Sequence, residues 1–318
     1  MRIIRTIFTA LLVFTFTGTI IARPAESSSE PVRVANGRGF SYPYYYYVPP
    51  ELRSAGPSKQ ARSILVLPNN TGKLDDSLDV HEADVKRRMT QASAIASALK
   101  VIVLMPVFPR PKTDWQIYTH ALDRDSLTTS KKEYARFDLQ LIAMIDDARG
   151  RMKKEGVTAD KRVLLNGFSA SGMFANRFTI LHPDRVKAAA IGSPGGWPIA
   201  PVAEFKQKQL RYPVGISDVK AITGRAVNIA ELRKVPLFVF LGSEDDNDSV
   251  VFGDSYEDED KVLIMSLFGQ KPVDRWSIIE TLYKEAGLNA EFRLYPNMAH
   301  TVSPQMRDDI RSFLERHK

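Results

Sequence analysis

A serine stands between a predicted buried strand and a predicted helix, in the segment Asn166-Gly-Phe-Ser-Ala-Ser-Gly172. Gly167 and Ser171, two residues before and after it, are small, as a sharp turn from strand into helix requires. Such a turn forces unusual backbone angles on the central residue and exposes its hydroxyl above the sheet, at the positive end of the helix. This pattern predicts that Ser169 is a nucleophile. The alternative is a tight structural turn that contains a serine.

Predicted strands, which would position this serine, alternate with predicted helices along the chain from residue 37 onwards. Continuous apolar runs predict strands that are buried on both faces, and their alternation with helical patterns predicts parallel pairing. The predicted strands lie at 42–48, 63–67, 101–105, 163–165, 186–191, 237–241 and 291–295. The predicted helices lie at 84–99, 131–154, 171–181, 273–286 and 304–317. The fold class is therefore α/β, with one mostly parallel sheet flanked by helices, and chemistry is expected at the carboxyl ends of its strands.

With these features the chain resembles the α/β-hydrolase superfamily, and within it the secreted esterases and polyester depolymerases. Residues 166–197, NGFSASGMFANRFTILHPDRVKAAAIGSPGGW, are similar to the nucleophile turn, the following helix and the next strand of those enzymes. The resemblance covers about residues 37–318. It implies a single α/β-hydrolase domain that cleaves carboxylic esters without cofactor or metal. It also implies the order serine, acid, histidine along the chain.

The resemblance places the catalytic acid in a turn after a late strand. The run LFVFL, which ends at Leu241, is followed by Gly242-Ser-Glu-Asp245, and Asp245 fits the turn. Asp248 is close enough along the chain to be the alternative. The acid would accept a hydrogen bond from the imidazole and fix its tautomer.

The resemblance places the catalytic base after the last strand, where His300 lies in Leu294-Tyr-Pro-Asn-Met-Ala-His300. The chain has only five histidines. His120 is the one rival, and it is interpreted either as a residue that lines the site and contacts substrate or as a buried core histidine.

Acyl transfer also needs N–H donors for the oxyanion. The residue after the nucleophile, Ala170, is predicted to supply one through its backbone. The second should come from the loop after strand 63–67, where this chain has Pro68-Asn69-Asn70 in place of the His-Gly that the superfamily often carries. The backbone of Asn70 is the predicted second donor, with Asn69 as the alternative.

Two further segments follow predicted strands. Residues 108–125 form a long loop in which Trp115 and His120 are predicted to line a substrate cleft, although the loop could equally be packed at the surface. Residues 244–260 hold nine acidic and no basic residues. They lack the glycine and spacing of a calcium-binding loop, so they are interpreted as a solvated rim rather than a metal site.

The N-terminus has the three parts of an export signal. Arg2 and Arg5 precede the apolar run IFTALLVFTFTGTII, and Ala22 is followed by the polar stretch RPAESSSEPVRVAN. Residues 1–22 are therefore predicted to be a cleaved signal peptide and 23–36 a linker, which makes the protein secreted or periplasmic. An uncleaved anchor is the alternative, but the run is shorter than a membrane-spanning helix requires.

Composition narrows the classes of function further. Cysteine is absent, which excludes disulfides and cysteine-based chemistry. The formal charge of +7 is spread over the chain, so no nucleic-acid partner is predicted. The favoured hypothesis is a serine hydrolase acting on an ester. A serine peptidase of the same fold and a non-catalytic binding protein at the cell surface are the alternatives.

Overall fold

The computed structural model describes residues 30–54 and 61–318. The strands are β1 (Val32–Val34), β2 (Tyr44–Tyr47), β3 (Ile64–Val66), β4 (Ile102–Pro106), β5 (Val163–Phe168), β6 (Val186–Gly192), β7 (Glu204–Phe205), β8 (Lys208–Gln209), β9 (Leu237–Gly242) and β10 (Ala290–Tyr295). The α-helices are α1 (Pro50–Ser54), α2 (Leu78–Leu99), α3 (Arg124–Thr128), α4 (Phe137–Lys154), α5 (Ala170–Leu181), α6 (Val219–Thr223), α7 (Ile229–Leu232), α8 (Asp258–Phe268), α9 (Pro272–Glu285) and α10 (Pro304–His317).

Eight strands form one sheet in the order β1-β2-β4-β3-β5-β6-β9-β10. The pairs from β4 through β10 are parallel, whereas β1 and β2 add an antiparallel edge. This arrangement confirms the predicted fold class. Strands β5, β9 and β10 end at the same edge of the sheet, which is where the predicted serine, acid and histidine follow them.

Helices cover both faces of the sheet, and each face has its own apolar core. Leu141 of α4, Phe174 of α5 and Ile279 of α9 belong to the core on one face. Val85 of α2 and Phe313 of α10 belong to the core on the other face. Because the central strands are buried on both faces, they consist of continuous apolar residues, as the sequence predicts.

The boundary of the predicted linker is wrong. Residues 32–34 of the range 23–36 form β1, which pairs antiparallel with β2. The physical reason is the Val-Arg-Val alternation: Val34 is buried, and Arg33 points outward to a bidentate ion pair with Glu82 of α2, with atoms 2.7 and 3.0 Å apart. The linker prediction therefore reaches too far toward the domain.

The predicted signal peptide, residues 1–22, lies outside the described residues. Among the residues that the structure describes, no helix is both long enough and apolar enough to span a bilayer.

Candidate active site

The turn from β5 into α5 holds Ser169 in a backbone conformation that side chains rarely adopt. Its φ is 61° and its ψ is −130°, and it directly precedes the first residue of the helix. The Ser169 N–H donates to Gly192 of the neighbouring strand at 3.0 Å, which ties the turn to the sheet. A non-glycine residue at positive φ costs about 1–3 kcal/mol and persists only where surrounding contacts enforce it. This strain motivates assigning Ser169 a functional role.

The two small residues near Ser169, Gly167 and Ser171, have different structural roles. A Cβ on Gly167 would lie 2.1 Å from the carbonyl oxygen of Ser171, so only glycine fits there. The Ser171 hydroxyl donates to the Phe168 carbonyl at 2.8 Å and accepts from the Phe168 N–H at 3.0 Å. Ser171 occupies a position where glycine is commoner, and its hydroxyl stabilises the turn through these two hydrogen bonds. Residue size alone does not predict this role.

Replacing Gly167 with alanine should lower the free energy of unfolding by at least about 2 kcal/mol, because backbone must move to admit the methyl group. Gly150→Ala is the matched control. Gly150 is exposed in α4 with open space around the new Cβ, and the change should stabilise the helix by about 1 kcal/mol. Urea denaturation of both variants checks this. Equal stability of the two would contradict the close approach at the turn.

The predicted acid and the predicted base are in contact. His300 Nδ1 lies 3.0 Å from each carboxylate oxygen of Asp245. The Asp245 side chain is fully buried, while that of His300 is 23% exposed. Burial is the largest single influence and alone would raise the pKa of Asp245. The hydrogen bond and charge of His300, with further hydrogen bonds that include the Asn247 N–H at 3.1 Å, together outweigh burial and hold that pKa below its ordinary value. Asp245 is therefore a carboxylate that orients the imidazole.

Backbone contacts fix the loops that carry this pair. The Glu244 N–H donates to the Met298 carbonyl at 2.9 Å, and the Asn297 N–H donates to the Ser243 hydroxyl at 2.9 Å. A Cβ on Gly242 would lie 2.1 Å from the Met298 carbonyl oxygen, so the two loops meet backbone to backbone. This close approach of the two loops places Asp245 beside His300.

Asp248, the alternative acid, is engaged elsewhere. Its two carboxylate oxygens each accept a hydrogen bond at 2.9 Å from the buried guanidinium of Arg275 in α9. It also accepts from the Val250 N–H at 3.1 Å. Asp248 is thus one half of a buried ion pair, and the geometry favours Asp245 as the acid.

His300 reaches the nucleophile turn through an aromatic contact. Its ring lies 4.8 Å, centroid to centroid, from the ring of Phe168, the residue before Ser169. Within the described residues no hydrogen bond joins the Ser169 hydroxyl to His300. Catalytic hydrogen bonds of this kind are often long before substrate binds and shorten in the complex. The structure therefore brings the histidine to the turn, and the serine–histidine bond stays a prediction.

The predicted oxyanion donors lie at two loop ends. Ala170 is the first residue of α5, so its N–H has no acceptor within the helix. The Asn70 carbonyl accepts a hydrogen bond at 2.7 Å from Arg88 of α2, which fixes the direction of that peptide. Their joint action on an oxyanion remains a prediction.

Asn69, the alternative oxyanion donor, has a structural role. Its fully buried amide bridges the backbone of Phe108: Nδ2 donates to the carbonyl at 2.8 Å, and Oδ1 accepts from the N–H at 3.0 Å. His120 Nε2 donates to the same carbonyl at 2.8 Å. Asn69 therefore anchors the loop on which Asn70 lies.

The expectation that His120 contacts substrate is not supported, since its side chain has no exposed surface. Burial lowers the pKa of His120 from 6.5 to about 3, so the ring is neutral at neutral pH. Sequence alone could not decide this, because burial depends on the loop packing around Phe108. His120 acts through Asn69 as part of the support of the loop.

The buried neutral His120 should make stability depend on pH. The unfolded chain binds a proton near pH 6.5 and the folded chain does not, so the free energy of unfolding falls as pH drops below 6.5 and levels off near 3. The slope from this residue approaches about 1.4 kcal/mol per pH unit. His120→Gln should remove that part of the slope between about pH 6 and about pH 4. His317→Gln should remove a smaller part, because His317 is only partly buried and burial lowers its pKa less. An unchanged slope in His120→Gln would contradict the neutral ring.

The remaining predicted residues lie on the rim. Trp115 is 42% exposed and its ring edge lies beside Gly253. Its contact with substrate stays a prediction. The acidic stretch is less solvated than predicted, because Asp254 pairs with Arg110 at 2.8 Å and the last three acids open α8. No group of three metal-ligating side chains occurs among the described residues.

The chain has a fold of the α/β-hydrolase type. Among solved structures the chain is similar to poly(aspartic acid) hydrolase-1 from Sphingomonas sp. KT-1, with 18% identity, a TM-score of 0.56, and coverage of 89% of this chain and 97% of that one. It is also similar to a poly(3-hydroxybutyrate) depolymerase from Bordetella parapertussis, with 15% identity, a TM-score of 0.56, and 92% of each chain covered. No protein-family model and no curated protein matches the sequence. At these identities the similarity establishes the fold.

Proposed function

We propose that the chain is an exported serine hydrolase that cleaves carboxylic esters, with Ser169 as nucleophile, His300 as base and Asp245 as acid. The observation that carries this proposal is the contact between His300 Nδ1 and the buried Asp245 carboxylate. The strained backbone of Ser169 supports it, as does the packing of His300 on Phe168. Export rests on the signal pattern of residues 1–22.

The protonation of the pair follows from its contacts. Because a carboxylate only accepts hydrogen bonds, His300 carries its proton on Nδ1, and the Nε2 lone pair is available. Nε2 takes the hydroxyl proton of Ser169 while the oxygen attacks the ester carbonyl carbon. The backbone N–H groups of Ala170 and Asn70 stabilise the negative oxygen that forms.

Breakdown of this intermediate uses the same groups. His300 returns the proton to the leaving alcohol, which leaves an acyl group on Ser169. Water then attacks the acyl-enzyme with His300 again as base, His300 returns that proton to the Ser169 oxygen, and the carboxylic acid departs. The reaction needs no cofactor.

A substrate panel tests the proposed chemistry. The purified protein is assayed with p-nitrophenyl esters from acetate to palmitate, oligo(3-hydroxybutyrate), oligo(aspartic acid) and peptide p-nitroanilides. Saturable turnover that is fastest with esters supports the proposal. Preferential cleavage of the anilides or of oligo(aspartic acid) would show that the substrates are amides rather than esters. Folded protein that turns over nothing would favour the non-catalytic binding role.

A further inference from the structure

A groove with a volume of about 690 Å³ lies between α2 and α10, over the face of the sheet that these two helices cover. Its wall on the α2 side presents Ala94, Ile95 and Ala98, and Ile95 is 44% exposed. Leu314 lines the α10 side, and Phe240 of β9 contributes to the floor. Ser169 and His300 do not line the groove, although Asn70, Gly167, Phe168 and Ser171 border one end of it. The groove is therefore mostly apolar, and one end of it adjoins the nucleophile turn and the Asn70 loop.

A polar side chain lies where this face of the sheet is otherwise apolar. Residues 164, 166 and 168 alternate onto the same face of β5, and Asn166 is the middle one. The other two, Leu164 and Phe168, belong to or pack against the core on that face. Asn166 lines the groove and is half-buried. Its amide has no hydrogen-bond partner among residues 30–54 and 61–318. An amide on a central strand without a protein partner is free to bond a ligand or water.

The rim of the groove carries an excess of positive charge. Its charged residues are Arg88, Arg307 and Arg311 against the single acid Asp308. Arg88 is already paired with an aspartate of its own helix, Asp84, at 2.7 Å. The Arg311 side chain has no ion pair or hydrogen bond in the part of the chain that the structure describes, so its guanidinium is available to an anion.

We propose that this groove binds an amphiphilic carboxylate with an aliphatic chain, the chemical class of fatty acids. The apolar walls would cover the chain, and Arg311 would pair with the carboxylate, since a guanidinium presents two parallel N–H donors to that group. The volume falls within the range of small-molecule sites. The proposal does not rest on the proposed hydrolase activity, because neither Ser169 nor His300 lines the groove.

Equilibrium binding to the full-length protein tests the proposal, with submicellar dodecanoate measured by calorimetry. Dodecyltrimethylammonium, with the same chain and a positive head group, and butyrate, with the same head group and a short chain, are the comparison ligands. We expect saturable binding of dodecanoate, with binding of both comparison ligands at least about tenfold weaker.

Variants on the two walls locate the site. Arg311→Gln and Ala98→Trp should each weaken dodecanoate binding at least about tenfold, the first by removing the charge and the second by filling the groove. Arg316→Gln is the matched control on the same helix. Its arginine is 57% exposed and does not line the groove, so binding should be unchanged.

Three outcomes would overturn the proposal: equal affinity for the two head groups, full affinity in Ala98→Trp, or a groove closed by a second copy. The last would appear as a dimer in sedimentation that Ala98→Trp dissociates. Ser169→Ala separates this proposal from the hydrolase assignment, because it should abolish ester turnover and retain dodecanoate binding. Wild-type protein that binds dodecanoate but hydrolyses no ester would support the binding proposal and refute the catalytic proposal.

Discussion

Ser169→Ala is expected to lower kcat for p-nitrophenyl ester hydrolysis by about 10⁵-fold or more, because the acyl-enzyme cannot form without the hydroxyl. The fold should persist, since the Ser169 hydroxyl makes no hydrogen bond among the described residues and the backbone contact to Gly192 does not depend on the side chain. Steady-state kinetics of the purified variant, with circular dichroism to confirm folding, measure both effects.

Ser266→Ala is the matched control for this change. Ser266 lies on the exposed surface of α8, where its hydroxyl bonds only to a backbone carbonyl of its own helix at 3.0 Å. It should retain wild-type turnover. A folded Ser169→Ala variant that keeps more than about a tenth of the wild-type rate would show that another group is the nucleophile.

The second large effect concerns the acid. Asp245→Asn should lower kcat by about 10⁴-fold, because the amide no longer holds the Nδ1–H tautomer of His300 or stabilises the imidazolium. The 3.0 Å contacts to both carboxylate oxygens are the basis for this expectation. Kinetics at saturating ester concentration give the change in kcat directly.

Asp248→Asn should show the opposite pattern. It leaves the buried guanidinium of Arg275 without its carboxylate, so the free energy of unfolding should fall by about 3–5 kcal/mol. The rate constant per folded molecule should stay near that of wild type. If Asp248→Asn instead lost activity at unchanged stability while Asp245→Asn remained active, the assignment of the acid would be wrong by three residues.

The parts of this molecule that depend on local pattern are predictable from the sequence. The buried strands contain runs such as LFVFL whose continuous apolar character follows from coverage on both faces, and the fold class follows from their alternation with helices. The small residues around Ser169 indicate the tight turn, because the backbone of Ser171 closes onto Gly167. Asp245 and His300 depend further on the resemblance to a known superfamily.

The parts that depend on long-range contacts are not predictable in this way. Asp245 and Asp248 have the same side chain in the same loop, and their roles are separated by the positions of His300 and Arg275, which follow later in the chain. Burial of His120 depends on a loop packed around Phe108. The groove beside Asn166 results from the spacing of two helices far apart in the chain, which no local pattern encodes.

The most direct test of the catalytic assignment is labelling with a fluorophosphonate, which phosphonylates an activated serine, followed by mass spectrometry of the digested protein. We expect one modified peptide, with the adduct on Ser169, and loss of labelling in Ser169→Ala and in His300→Ala. An adduct on a different serine, or folded wild-type protein that resists the reagent, would contradict it.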